Sequence, residues 1–487
     1  MTSWFSDVNS EEDVCYGLLC WSSVRIDPSA LNPDFWPRFW QWAMHRLDRL
    51  NTRDLVYILS AVQNLNQACP RQWFLLAQDA VLQWPLVMLN DTHYVIGSRA
   101  EPPCSTTVYS AAKLLSCLAS FTNDYHDLPV SRGLVSHLRQ IWLENLCAEM
   151  EAESIFDGFI GVAVLAHFLP QSERNVPIRF WELSSKVLSQ IRPGYLLHLL
   201  RVVRDDRLVP PQSWLYAALE AVSATTRLTP LMAAQLLDVL GRLSSSLQLK
   251  RFFDPLQLQD SAKVLYKVWY SALTTGKQKG YILSRGLHGL SLLELDPGRQ
   301  SVGFWDQFWT VSRLFLSDLH PSSRLELLRA INRFGVKAPS DWLDALIEPH
   351  HCVVPPLKHW SFFLLALSRY KHLHSSYQPN RVAFGKLFAR WCEALPEMPV
   401  HSICIGVESL EHIPVGPSKL TLAVLDKIWT RTADEAASLS RQNVEVLLKW
   451  TILYQLQPPT FWRSALYDRL VDLRRQKKLD YLTHVNW

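Results

Sequence analysis

The sequence predicts an all-α protein, an α-solenoid of about eleven antiparallel helix pairs, and three observations carry that expectation. The 487-residue chain is 48% hydrophobic, with 17 glycines and 20 tryptophans, a composition that suits packed helices better than the turn-rich connections of an all-β protein. The spacing Pro-x-x-Trp occurs five times, at Pro33/Trp36, Pro70/Trp73, Pro211/Trp214, Pro339/Trp342 and Pro459/Trp462. Distances between tryptophans set a unit in the thirties: 37 from Trp36 to Trp73 and from Trp305 to Trp342, and 33 from Trp181 to Trp214. A period of that length, built from two helices, marks a repeat array.

Within one unit the first helix comes from the columns upstream of the tryptophan. Fifteen positions before it stand Trp21, Ile58, Leu199, Leu327 and Leu447, and fourteen before stand Ser22, Leu59, Leu200, Leu328 and Leu448. Eleven before stand Arg25, Val62, Val203, Ile331 and Thr451. Apolar residues at i, i+1 and i+4 form the inner stripe of an amphipathic helix. The proline then breaks the chain and opens the second helix, whose first N–H groups have no helical partner in any case. In FGVKAPSDWLDAL (334–346), Ser340 or Asp341 is placed to serve those amides. The tryptophan one turn in is a core wedge, because large aromatics at helical spacing fill the gap between packed helices. Trp73, Trp214, Trp342 and Trp462 are therefore expected between the two helices of their own repeat.

Extending outward from these anchors places second helices near 32–50, 69–89, 129–148, 177–191, 210–223, 250–275, 301–319, 339–347, 379–395, 417–433 and 458–473. Loops such as 90–104 and 121–131 lengthen some units. No Pro/Gly/Ser-rich linker divides the chain, so residues 1–487 are expected to form one continuous superhelix, bent near 244–258 where the pattern blurs, with a basic C-terminal tail at 474–487.

The units LLRVVRDDRLVPPQSWLYAALEAV (199–222) and LLRAINRFGVKAPSDWLDALI (327–347) resemble the octotricopeptide and heptatricopeptide repeats of organellar RNA-binding proteins, whose second helix opens with a Pro-rich turn and a Trp. The resemblance implies residence in the mitochondrion, or alternatively the plastid, and work on organellar RNA in maturation, translation or the ribosome itself. Many proteins of this type end in a nuclease-like domain; 25 residues follow Trp462, and no such domain is expected here. The repeats also vary in length, so a uniform one-repeat-one-base reading head is not expected.

Composition narrows the chemistry. A formal charge of +4 and pI near 8.5 exclude a wholesale polybasic coat but leave room for a local basic stripe. Nine cysteines without a CxxC pair suit a reducing compartment. The longest apolar run, 155–169, contains Asp157 and is shorter than the roughly 20 residues of a membrane span, so no membrane helix is expected. Asp7, Glu11, Glu12 and Asp13 precede the first Arg, at 25, a pattern that fits neither a secretory signal nor an Arg-rich presequence. GxGxxG, GxSxG, HExxH and phosphate-loop motifs are all absent. No enzyme, cofactor or small-molecule substrate is expected. His350, His351, Cys352 and His359 are metal-ligand types, but adjacent ligands rarely converge on one ion, so no metal site is expected. GLHG (286–289) resembles a backbone-clamping turn, yet it stands inside a helical pattern and reads as close packing.

One polar column is in register with the repeat. Thirteen positions before each tryptophan stand Ser23, Ser60, Arg201, Arg329 and Lys449, and Arg204 and Arg333 lie about one turn beyond Arg201 and Arg329. If first helices line the concave face, these residues form a basic ladder able to neutralise a phosphate backbone. Arg369 and Lys371 in SRYKHLH (368–374) add a mixed aromatic and basic patch, and Arg474, Arg475, Lys477 and Lys478 form the clearest cationic cluster. Solvated helix surface explains the same column, Asp205 and Asp206 offset Arg204, and a helix end complementing its dipole explains the terminal cluster. Two functional readings stay open. One is a non-catalytic organellar protein that binds RNA, rRNA foremost, and neighbouring proteins as an accessory component of a mitochondrial ribosome. The other is a protein-only scaffold or assembly factor whose concave face takes helices or peptides.

Overall fold

The computed structural model describes residues 11–86, 106–124, 129–147, 150–170, 176, 178–225, 228–246, 249–275, 280–348, 358–378, 380–410, 413 and 421–485. Among these residues the protein is all-α, with 23 α-helices, no strand, and one isolated bridge between Leu86 and Thr106. Among them no helix is long and apolar enough to cross a membrane.

The chain forms two compact units, residues 1–227 with 247–257 and residues 228–246 with 258–487. The first unit contains α1 (Glu11–Ser23), α2 (Phe35–His45), α3 (Thr52–Asn64), α4 (Arg71–Gln83), α5 (Val108–Asp124), α6 (Arg132–Glu144), α7 (Ala152–Val164), α8 (Ile178–Val187), α9 (Pro193–Asp205) and α10 (Gln212–Ala224). The second contains α11 (Pro230–Ser245), most of α12 (Pro255–Thr275), α13 (Gly280–Leu292), α14 (Pro297–Gln300), α15 (Phe304–Arg313), α16 (Pro321–Phe334), α17 (Ser340–Ile347), α18 (Lys358–Leu373), α19 (Arg381–Ala394), α20 (Val400–Ser409), α21 (Leu422–Asp434), α22 (Arg441–Leu453) and α23 (Thr460–Val485). All eleven expected second helices are present, starting one to five residues after the expected positions. The one-turn α14 is an addition that the repeat pattern does not contain.

Each unit has two layers, because first helices stack on first helices and second helices on second helices. In the first unit α1, α3, α5, α7 and α9 pack in sequence, and α4 packs on α2 and α6, and α10 on α8. In the second, α11, α13, α16, α18, α20 and α22 form one layer, and α15–α17–α19 and α21–α23 lie in the other. This is the solenoid arrangement, in which a repeat buries its apolar stripe only against its neighbours.

The tryptophans are buried as expected, but against a different partner. Trp73, Trp214, Trp342 and Trp462 are at most 1% exposed. Trp73 packs on Trp40, Trp214 on Trp181 and Trp342 on Trp309, with ring centroids 4.8–5.1 Å apart. Each of those partners belongs to the second helix of the preceding repeat, so the wedge locks neighbouring repeats together rather than filling only its own hairpin. The geometry explains why: the Pro caps α4, α10 and α17 at φ near −60°, and a residue on the first turn reaches the preceding helix of the same layer. Capping also differs from expectation. Pro339 leaves α17 without a side-chain cap, and Asp341 instead pairs with Arg313 of α15.

Small residues set the approach of α11 and α13. A Cβ on Gly289 would lie 2.4 Å from the backbone carbonyl carbon of Leu237, and one on Gly241 would lie 2.9 Å from the carbonyl oxygen of Gly289. The GLHG stretch is thus close packing within a helix, and it brings His288 beside Asp238.

Candidate anion-binding groove

The first-helix layer of the second unit carries a concavity of about 600 Å³ lined by residues of α13, α16 and α18, among them His288, Arg329, Arg333, Phe362, Arg369 and His372. Helical spacing places them there. Glu326, Arg329 and Arg333 stand at i, i+3 and i+7 on α16, opposite the buried Leu327, Leu328 and Ile331. Phe362 and Arg369 stand at i and i+7 on α18. Asn332 fixes the two helices by donating its amide to the Ala366 carbonyl at 2.7 Å.

His288, one of the lining residues, belongs to an adjoining ion-pair network. Arg242 on α11 donates Nε to both oxygens of Asp238, at 2.9 and 3.0 Å, and Nη2 to Glu326 Oε1 at 2.8 Å. His288 Nδ1 donates to Asp238 Oδ1 at 3.0 Å. Burial pushes the Asp238 carboxyl up, but the hydrogen bonds from His288 and Arg242 outweigh it and hold the group below the ordinary carboxylate value. Asp238, His288 and Glu326 place ligand-type atoms within 4.8 Å of one another. Arg242 already occupies the carboxylates, so the set fits an ion-pair network better than a cation.

The walls are cationic and incompletely neutralised. Burial lowers the Arg329 pKa most and the neighbouring Arg333 lowers it further; Glu326 opposes them by raising it, and Arg369 and Arg242 add smaller lowering contributions. Arg333 is lowered by burial and then by Arg242 and Arg369. Guanidiniums keep their charge at neutral pH despite such shifts, so these directions record like charges crowded at partial burial. Among the described residues Arg369 makes no hydrogen bond or ion pair, and Arg333 makes one long bond, to Ser291 Oγ at 3.4 Å. Four guanidiniums face two carboxylates, and both carboxylates are engaged by Arg242. On the far side of Arg333 the balance returns, since Arg299 pairs with Asp296 and Lys263 with Asp260.

Of the sequence-predicted residues, Arg329, Arg333 and Arg369 therefore come together around one groove. Others do not join it. Lys371 is turned to the end of its own helix, where its ammonium donates to the carbonyls of Ser375, at 2.8 Å, and Tyr377. Arg204 on α9 is held bidentate by Asp205, at 2.7 and 2.9 Å. Arg201 is on α9 in the first unit, half-buried, and lowers the His198 pKa together with the larger effect of burial. Lys449 is exposed on α22, and Arg474 and Arg475 are exposed on α23, with Arg475 4.0 Å from Asp472. Lys477 and Lys478 fall where side chains lie outside the described residues, as do His350, His351 and Cys352. Sequence reasoning missed Arg242, Asp238, His288 and Phe362. The i, i+4 spacing of Asp238 and Arg242 in an otherwise apolar helix was the available signal.

The first unit shows how such a face looks when neutralised. Lys113 on α5 forms an ion pair with Asp157 on α7 and donates to the Tyr195 hydroxyl at 3.3 Å, with its ammonium 5.7 Å from the rings of Tyr109 and Tyr195. No protein-family model matches the chain, and no curated protein is significantly similar to it.

Proposed function

We propose that the protein is a non-catalytic RNA-binding repeat protein whose groove on α13, α16 and α18 holds phosphodiester backbone, and that it works with neighbouring proteins in an organellar ribonucleoprotein, a mitochondrial ribosome foremost. The observation that carries this reading is the cation excess formed by Arg329, Arg333 and Arg369 around the groove, next to acids, Asp238 and Glu326, that Arg242 already engages. Like charges crowded at partial burial raise the energy of the empty groove, and phosphate oxygens relieve it by supplying charge-assisted acceptors. Contacts of that kind position a strand without reading its sequence. The organellar setting rests on the likeness of the 199–222 and 327–347 units to octotricopeptide and heptatricopeptide repeats.

Fluorescence anisotropy of a labelled RNA against salt concentration tests the reading. Wild-type protein is expected to show log affinity falling linearly with log salt, and the double variant Arg333→Gln/Arg369→Gln to lower that slope by about 1.5, at roughly 0.7–0.9 per phosphate contact. Binding no tighter than a neutral control protein at low salt, or an unchanged slope in the variant, overturns it. A protein partner seated on the exposed Leu373 and the neighbouring Phe362 is then the better reading.

A further inference from the structure

The groove mixes its cations with one aromatic ring. Arg329 carries its guanidinium carbon 5.1 Å from the ring centroid of Phe362, and both residues are half-buried on the groove wall. The other aromatic side chains of this unit mostly close on one another: Phe304 on Phe308, Trp305 on Trp309, Tyr370 on Tyr377. Phe362 has the guanidinium as its partner among the described residues, with no second ring. Two turns along the same face stands Arg369, and one turn beyond Arg329 stands Arg333. The pair is thus flanked on both helices by cations that, among the described residues, lack carboxylate partners.

We infer that Phe362 and Arg329 form a stacking platform for an unpaired base of the strand whose phosphates Arg333 and Arg369 hold. The preferred ligand is then single-stranded RNA rather than a duplex, an inference that rests on the RNA-binding reading above. The chemistry supports it on three counts. Arg over an aromatic face is itself a favourable pair, which pre-orders the platform before any ligand arrives. A base stacks on an aromatic or guanidinium plane whatever its identity, so the platform gives affinity without sequence choice. In an A-form duplex the base faces are already stacked and only edges and backbone are offered, so a planar platform gains nothing there.

The test compares a labelled oligouridylate with an abasic strand of the same length, which has the same phosphates and no bases, and adds heparin as a polyanion. Wild-type protein is expected to prefer the base-containing strand on the order of tenfold. Phe362→Leu, which keeps apolar bulk and removes the ring, is expected to erase that preference while lowering heparin affinity much less than oligouridylate affinity, and Phe362→Trp to retain it. Arg333→Gln/Arg369→Gln is expected to weaken both strands alike. The platform is wrong if Phe362→Leu keeps the preference, or if it weakens both strands and heparin equally, because the ring would then serve only to hold Arg329. Wild-type protein that binds neither strand nor heparin overturns the groove reading itself, and the platform with it.

Discussion

The indole N–H of Trp342 donates to Ser312 Oγ at 2.9 Å, joining α17 to α15 of the preceding repeat. The serine in turn donates to the Phe308 carbonyl at 2.5 Å. The same bond, spanning 30 residues each time, runs from Trp214 to Ser184 and from Trp462 to Thr432. In a fourth case Trp391 bonds Ser361, on the first helix of its own repeat. A small hydroxyl residue inside an apolar stripe thus satisfies the one polar atom of a buried wedge. Trp342→Ala should cost about 3–5 kcal/mol, and Ser312→Ala, which strands the indole N–H, about 1–3 kcal/mol. Combining Trp342→Phe with Ser312→Ala should cost less than the sum of the two, as measured by urea denaturation. Hydrogen exchange should place the loss in the repeats on either side of the wedge. Tryptophan variants that keep full stability but lose binding would show that these residues are ligand platforms instead.

Glycine substitutions separate close packing from helix propensity. A Cβ on Gly286 would lie 2.2 Å from Trp269 Nε1, and the same collision recurs between Gly158 and Trp142 at 2.3 Å and between Gly406 and Trp391 at 2.4 Å. Gly286→Ala should therefore destabilise by about 1–3 kcal/mol through overpacking, although alanine is the better helix former by about 1 kcal/mol. Gly133, with its nearest neighbour atom 3.6 Å away, is the control: Gly133→Ala should be neutral or stabilise by about 0.4–1 kcal/mol. Equal midpoints for the two variants in thermal unfolding would contradict the packing argument.

Removing Asp238, the buried acid that holds His288, should be costly in a pH-dependent way. Asp238→Asn leaves Arg242 and His288 without their shared anion, a loss of about 1–3 kcal/mol at neutral pH. The Asp238 carboxyl is held below its ordinary value of 3.8, so its contribution is complete above that value and fades as pH falls through the folded-state value. The gap between wild type and Asp238→Asn should accordingly close in the acid range, below about pH 4. Denaturant unfolding at neutral pH and at about pH 3 measures it. A gap of the same size at both would mean that the carboxylate charge does not matter.

Lys371 and Arg333 should behave oppositely although both are cations on this layer. Among the described residues Arg333 pairs with no acid, and Arg333→Gln should lower the salt slope of RNA binding by about 0.8. Lys371 is tied to the carbonyls of Ser375 and Tyr377, and Lys371→Gln should leave that slope unchanged while loosening the end of α18. A slope lowered equally by both variants would point to a diffuse charge effect rather than a groove.

The positions of the helices are legible in the sequence because their causes are local. A proline fixes φ at a helix start, an apolar residue recurs every turn, and a tryptophan one turn in marks the wedge. Each of these acts within about twenty residues. The partner of the wedge is not legible in that way. Trp214 and Trp342 carry the same local signature whether they fill their own hairpin or lock onto Trp181 and Trp309, and the choice depends on how layers stack.

The candidate site divides along the same line. The in-register column identifies Arg329, Arg333 stands one helical turn further on, and Arg369 belongs to the separate SRYKHLH patch, so the cations lining the groove can be read from the sequence. Which cations remain uncompensated cannot. Arg204 is paired by the adjacent Asp205, while Arg242 is satisfied by Glu326, 84 residues away, and by an Asp238 that also holds His288 across 50 residues. Charge compensation is a sum over neighbours in space that salt screens beyond about 10 Å, and in a stacked repeat those neighbours come from successive turns of the solenoid. The sequence by itself therefore determined the repeat and the residues offered to its inner layer. Only the tertiary structure decided that Asp238 and Glu326 are engaged by Arg242, leaving Arg329, Arg333 and Arg369 as the groove's unbalanced charge.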